Sequence, residues 1–437
     1  MKKNTLIVIV TALMVAACGN NASRDKQLAE RILNDSLMNQ VEAMALEVVR
    51  GGFNAGDGYG EVWIRDYNTF IELAMEVMPD SQIQDNLLTF FHFQGNTGDI
   101  VDGFIDKKYA VPTDDGYDYR YSTLEPRYAA HKNTVETDQE SSLIQAVWRY
   151  VTKSGNNAFL QQVIDGKTVE QRLEWALEFL MDERYDAEYG LLWGATTVDW
   201  GDVQPEHPWG VKLDENSHLC LDIYDNAFFI IAINHFIDLT DNVETQKKWA
   251  EVRDCVAANV RTHLWDSGRQ KFIPHVYLSG SPFPEDFDEN EIYYHGGTAV
   301  AIEAGLLSKE EIVVSNAAMV ANVKASGAPT IGLTAYPPYP DGFFLNKGMY
   351  PYGYQNGGDW TWFGGRMIQQ LIRNGLVQEA YDEARPMFER VVENQGFYEW
   401  YALDGTPSGS GTFRGEAGVL HKAIEDFRSW AKSTINN

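Results

Sequence analysis

Apolar residues return every three to four positions along much of this 437-residue chain, and that spacing predicts helix after helix. Over 25–50 the stripe is Leu28, Ile32, Leu37, Val41, Met44 and Val48. Similar stretches follow over 67–78, 138–153, 167–183, 224–240, 244–264, 309–324, 359–374, 377–394 and 416–431. Thr137-Asp138-Gln139-Glu140 offers an N-cap with acids in the first turn, and Asp359 precedes Trp360 in the same way. Gly155 and Gly375 are natural stops. Short β-like pieces such as Lys271 to Val276 occur only between the helical stretches. There is no βαβ rhythm and no fixed-period repeat of the solenoid kind. Sequential helical hairpins without a repeat predict an all-α fold, closed into a toroid with long loops and minor β structure in them.

The first residues follow a different pattern. Lys2 and Lys3 precede an apolar run from Leu6 to Val15, and Val15-Ala16-Ala17-Cys18 ends it. A basic start, a short apolar run and small residues before a cleavage point form an export signal. The run is too short to span a bilayer as a mature helix. Cys18 after Val-Ala-Ala resembles the bacterial lipobox, in which the Cys is acylated. The expectation is a signal peptide over 1–17, a tether over 18–26 and one catalytic domain over 27–437. The chain would be exported and held on a bacterial membrane, periplasmic or surface-facing, by that lipid alone. Cys220 and Cys255 remain, both in apolar stretches where a buried free thiol is the ordinary role, with a disulfide between them as the alternative.

Composition adds two constraints. No Pro/Gly/Ser linker divides the chain, and 44% hydrophobic residues can bury a large core. A net charge of −28 argues against nucleic acid, anionic lipid surfaces and polyanionic polysaccharides as partners. The 12 Trp and 22 Tyr, where they lie in loops beside Asp, Asn and Gln, make a surface suited to sugars: flat apolar faces with polar groups for hydroxyls.

Four loop clusters carry the candidate chemistry. Glu61-Val62-Trp63-Ile64-Arg65-Asp66 leads into an apolar helix, where Arg-Asp could equally be a structural ion pair. Gly190 to Asp202 contains Trp193, Asp199, Trp200 and Asp202; an Asp beside indole rings is desolvated, which favours its protonated form. Tyr352 to Trp362 holds Gln355, Asp359 and Trp360. Gly396-Phe397-Tyr398-Glu399-Trp400-Tyr401 is followed by a Gly-rich run from Pro407 to Gly415. No His/Asp/Glu spacing calls for a metal, and no cofactor is expected. Asp114-Asp115-Gly116-Tyr117-Asp118 lacks the further ligands of a calcium loop and reads as a polar turn.

These motifs, in this order, resemble the six-hairpin glycoside hydrolases. Trp-x-Arg-Asp at 63–66 is similar to glucoamylases and neutral invertases. Thr197-Val198-Asp199 after Gly-Leu-Leu-Trp-Gly resembles the acid loop of trehalases, processing α-glucosidase I and the glucosidase domain of glycogen-debranching enzymes. Leu221 to Ala227 and Gln355 to Trp360 look like segments of the debranching enzymes, and Tyr398-Glu399-Trp400-Tyr401 looks like the trehalase base segment.

The resemblance implies an (α/α)6 barrel and an inverting, exo-acting hydrolase of a neutral, α-linked gluco- or manno-type oligosaccharide. It makes Asp199 the general acid, with Asp202 competing on the same loop, and Glu399 the general base, with Glu416 competing. Arg65 and Asp66 would grip the terminal sugar, with Trp63, Trp200, Gln355 and Trp360 around it. An isomerase or epimerase on the same barrel would rely on histidines, of which His207, His218, His275 and His295 lie near these loops. A non-catalytic glycan-binding lipoprotein would need the aromatics but no paired acids, and a lyase would need an acidic polymer.

Overall fold

A computed structural model describes residues 23–111, 117–208 and 210–436. The signal segment 1–17, Cys18 and the Asp114–Gly116 part of the acidic turn lie outside the described residues. Thirteen helices follow one another among those described: α1 (23–33), α2 (Ser36–Arg50), α3 (Ile64–Val77), α4 (Asp80–His92), α5 (Gln139–Ser154), α6 (Val169–Glu183) and α7 (Ile223–Leu239). Then come α8 (Val243–His263), α9 (His295–Glu303), α10 (Lys309–Ser326), α11 (Thr361–Arg373), α12 (Val377–Glu393) and α13 (Arg414–Asn436).

Six of them form a closed inner ring. α3 packs on α5, α5 on α7, α7 on α9, α9 on α11, α11 on α13, and α13 returns to α3. The helices between them form an outer layer: α4 lies against α3 and α5, α6 against α5 and α7, α8 on α7, α10 on α9 and α12 on α11. α2 covers α3 and α13 and completes six hairpins. This is the (α/α)6 toroid that the sequence predicts. All the strands are short pieces of two to four residues in the connections, including Lys271–Phe272 and Val276–Tyr277.

Burial follows the two layers. Every residue of α7 from Ile223 to Ile233 is buried, whereas α8 buries only Trp249, Val256 and Val260. A helix enclosed on all sides carries no polar stripe, so its period is weak in sequence. α9 (His295–Glu303), buried along nearly its whole length and only 9 residues long, is absent from the periodic stretches, whereas the equally enclosed but 17-residue α7 is among them. α4 is absent from them too. The stretch 25–50 is two helices, because Asp35 accepts the Leu37 N–H at 2.8 Å and starts α2 afresh. Gly155 and Gly375 sit at positive φ just past α5 and α11, as expected. Cys220 is buried and free, while Cys255 is free but exposed, so neither the disulfide nor the second buried thiol is present.

Close approach of inner helices requires glycine at α13. A Cβ on Gly418 would stand 2.6 Å from the Phe70 Cα of α3. Alanine is the better helix former by about 1 kcal/mol, but overpacking costs about 1–3 kcal/mol. Gly418→Ala is expected to lower unfolding stability in a denaturant titration; equal or higher stability would mean that α3 and α13 do not meet so closely.

Candidate active site

The residues just ahead of the inner helices converge on one cavity of about 310 Å³. Tyr59 to Asp66 arrive with α3, Asn133 and Glu136 ahead of α5, and 200–211 from the loop before α7. Tyr354, Gln355, Trp360 and Trp362 come with α11, Glu399 and Phe413 with α13. A ring of helix N-termini therefore faces this end of the barrel, and their dipoles favour negative charge there. Trp200 forms part of the wall; its ring stacks on Phe363 at 4.5 Å and meets Trp360 edge-on at 4.7 Å.

Asp202 and Glu399 both line this cavity, each with one oxygen engaged. Gln355 holds Asp202 from two sides: its Nε2 donates to Oδ1 at 2.7 Å, and its Oε1 accepts the Asp202 N–H at 3.2 Å. Glu399 Oε2 accepts from the Tyr59 hydroxyl at 2.6 Å and from the Ser410 N–H at 3.2 Å. Gly409 makes room, since a Cβ there would lie 2.7 Å from the Glu399 Cβ. Burial pushes the Glu399 pKa up, the two hydrogen bonds pull it back, and the nearby Asp202 charge pushes it up again.

Asp199 is placed differently. Its two oxygens accept the Gly296 and Gly297 N–H groups, each at 2.7 Å, at the start of α9, and it does not line the cavity. This is a carboxyl group capping a helix N-terminus through both of its oxygens. Cβ atoms on Gly296 and Gly297 would stand 2.8 and 2.7 Å from those oxygens, so the glycine pair is what lets the carboxylate in. Burial raises the Asp199 pKa to about 8 against the pull of the two amides. A desolvated Asp beside Trp200 is what the sequence indicates, and that part holds; the desolvation comes from helix packing rather than from the cavity.

Glu416 also lies off the cavity. It is fully buried in the first turn of α13, where burial raises its pKa to about 8 and Arg390 opposes the rise. Asp359 is not a helix cap. It accepts from the Thr330 N–H at 2.8 Å and pairs with Arg390 at 2.9 Å, tying the α10–α11 connection to α12.

Arg65 lines the cavity but is not paired with its neighbour Asp66. It bridges to Glu136 and, at 2.6 Å, to Asp138, and it donates to the Trp200 carbonyl at 3.2 Å. Asp138 is thus spent on Arg65 and on the Tyr224 hydroxyl at 2.8 Å rather than on capping α5. Asp66 is left with Oδ1 unpartnered; burial lifts its pKa to about 8 although Arg65 lowers it. Asp102, also on the cavity wall, is lifted to about 7 by the same burial, again against Arg65.

Trp63, Trp200, Gln355 and Trp360 all reach the cavity wall. Sequence motifs assign no role to Tyr59, Asp102, Tyr117, Asn133 or Glu136. The usable signals were Gly58-Tyr59-Gly60, a turn immediately ahead of the Trp-x-Arg-Asp motif, and Glu136-Thr137-Asp138, two acids with no basic neighbour in sequence. Of the four histidines near the loops, only His207 lines the cavity. His275 pairs with Glu289 at 2.9 Å, His218 with Glu206, and His295 reaches the Ile331 carbonyl at 3.1 Å.

No protein-family profile and no curated protein matches the sequence. Solved structures do share the fold. Mannosylglycerate hydrolase of glycoside hydrolase family 63 from Thermus thermophilus, solved with glucose, is similar over 89% of this chain and 99% of its own, at 16% identity and a TM-score of 0.60. The family 78 rhamnosidase of Bacillus sp. GL1 gives 15% identity and a TM-score of 0.59. That match covers 89% of this chain but only 34% of the rhamnosidase, so the chain spans about a third of that protein's length. A Klebsiella oxytoca rhamnosidase with rhamnose bound matches over 90% of this chain and 64% of its own, with 12% identity and a TM-score of 0.57. The fold is that of the six-hairpin (α/α)6 glycoside hydrolases.

The helix-capping geometry makes a stability prediction. Asp199→Asn replaces an acceptor by an amide that cannot satisfy both buried N–H groups, at a cost of about 1–3 kcal/mol. Its thermal midpoint should fall clearly below that of Asp202→Asn. An Asp199→Asn protein as stable as the parent would contradict the capping role.

Proposed function

We propose that the protein is a glycoside hydrolase acting on the terminal unit of a neutral oligosaccharide, with Asp202 as general acid and Glu399 as general base. The observation that carries this is a pair of carboxylates in one aromatic cavity, each held through a single oxygen. Gln355 fixes Asp202 through Oδ1 and leaves Oδ2 to carry a proton to the glycosidic oxygen. Tyr59 and Ser410 fix Glu399 through Oε2 and leave Oε1 to take a proton from water. The likeness to mannosylglycerate hydrolase and rhamnosidase structures supports this reading through the shared barrel.

Charge and shape narrow the substrate. Arg65 is the one Lys or Arg on the cavity wall among the described residues, and Glu136 and Asp138 already neutralise it. An anionic sugar would meet Glu61, Asp202 and Glu399 with no free cation to receive it, whereas hydroxyls find acceptors throughout. Trp200, buried and backed by Phe363, forms part of the cavity wall against which the terminal unit would sit. Asp66, neutral at pH 7 with a pKa of about 8, can donate to a sugar hydroxyl as well as accept from one. Inversion at the anomeric carbon is part of the proposal and calls for room for a water between Glu399 and the sugar. An epimerase reading is weaker, because His207 alone among the histidines is at hand.

Hydrolysis of a panel of neutral α-glucosides and α-mannosides, followed as released sugar, tests the assignment. Asp202→Asn and Glu399→Gln should each lose about 10²–10⁴-fold in rate while staying folded. Full activity in both would rule the pair out.

The base must be ionised to work, so kcat/KM should fall as pH drops through the raised pKa of Glu399. Tyr59→Phe removes a hydrogen bond that favours the carboxylate, which moves that acid limb to higher pH. A limb that stayed in place or moved down would sever Tyr59 from the base.

A further inference from the structure

Beside the cavity runs a segment, bridged to a neighbouring strand, that the hydrolase reading does not use. Residues 117–121 run extended beside the strand Tyr128–His131, with the Arg120 N–H and carbonyl both bonded to Ala130, at 2.6 and 3.0 Å. Alternate side chains of an extended strand share a face. Arg120 is turned to Asp99, pairing at 2.6 Å, and the other face presents Tyr117, Tyr119 and Tyr121.

The three rings form a graded series. Tyr117 lines the cavity and stacks on His131 with centroids 3.5 Å apart. Tyr119 lies 6.1 Å from Tyr117, half-buried; burial raises its pKa, and the nearby Glu61 charge on the cavity wall adds to the rise. Tyr121 is 57% exposed, with the Lys107 ammonium 4.9 Å above its ring. The antiparallel pairing puts Tyr117 at the cavity end of the strand and Tyr121 at the outer end, since Arg120 faces Ala130 while Asn133 of the same segment reaches the cavity. Tyr121 is one of the exposed large apolar side chains among the described residues.

We propose that Tyr119 and Tyr121 bind the outward continuation of the glycan, the sugar units beyond the first on the leaving-group side of the one held in the cavity, and so set a preference for chains longer than a disaccharide. The proposal rests on the hydrolase reading. The occupant is argued from continuity: the aromatic face begins on the cavity wall and leads away from it without a break, and pyranose faces stack on such rings. Tyrosine suits this work, with a flat apolar body and a hydroxyl for sugar hydroxyls.

The test uses the full protein with linear α-glucan and α-mannan oligosaccharides of two to six units and the variants Tyr121→Ala, Tyr119→Ala and Tyr121→Phe. For the parent, kcat/KM should rise with chain length. In Tyr121→Ala it should fall about two- to tenfold for the longer chains, mostly through KM, and stay unchanged for the disaccharide, with Tyr121→Phe near the parent. Tyr121 is exposed, so its variants should fold; Tyr119→Ala should lose more. Equal losses at every length, or none, would overturn the proposal. So would a change of oligomeric state by light scattering in Tyr121→Ala, which would assign the patch to a second copy of the chain. Cleavage of no member of the panel would instead remove the hydrolase reading on which it rests.

Discussion

A single guanidinium is buried among carboxylates at the mouth of this barrel, and the site is organised around it. Arg65 sits in the first turn of α3, yet its partners, Glu136 and Asp138, arrive with α5, and its third contact is the carbonyl of Trp200 in the loop before α7. Three consecutive inner elements are thereby locked at their N-terminal ends. Removing one partner of such a pair leaves an unpaired buried charge, which costs several kcal/mol, so the arrangement is stable only as a set. Closure of the ring depends on the same region being rigid, because α13 must return to α3 with helix backbones in contact at Gly418.

Neutralising Arg65 has a chemical consequence. The cavity is left with acids of unequal character rather than a uniform negative charge. Asp66 and Asp102 are pushed up to about 8 and about 7 by burial, so near neutrality Asp66 is mostly protonated, Asp102 about half so, and each can offer hydrogen bonds in both senses. Glu399 keeps two donors on one oxygen, which favours its anion and restrains the rise that burial brings. The helix N-termini around the cavity lower the cost of keeping any of them ionised.

Much of this was legible in the chain. Periodicity predicts ten helical stretches and the toroid because most of the helices return apolar residues at helical spacing over three or more turns. It misses α4 and the short, enclosed α9, and it fuses α1 with α2 because Asn34-Asp35 does not interrupt the spacing. Glu399, Arg65, Asp66 and the wall tryptophans were named from short motifs that do lie together. Asp199 and Asp202 could not be told apart by sequence. Both stand in the same loop near Trp200, and what separates them is a glycine pair, Gly296-Gly297, nearly a hundred residues away. The reach of Tyr59 to Glu399 is equally non-local, joining the two ends of the chain across the α3–α13 closure.

The central claim is that Asp202 and Glu399, not Asp199, flank the reacting carbon. A crystal structure with the released monosaccharide bound would decide it. The account predicts the anomeric carbon between the Asp202 and Glu399 carboxyl groups, with those groups about 6.5–9.5 Å apart and the Asp199 oxygens still on the α9 amides. A sugar whose anomeric carbon lies against Asp199, with Asp202 turned away, would contradict it.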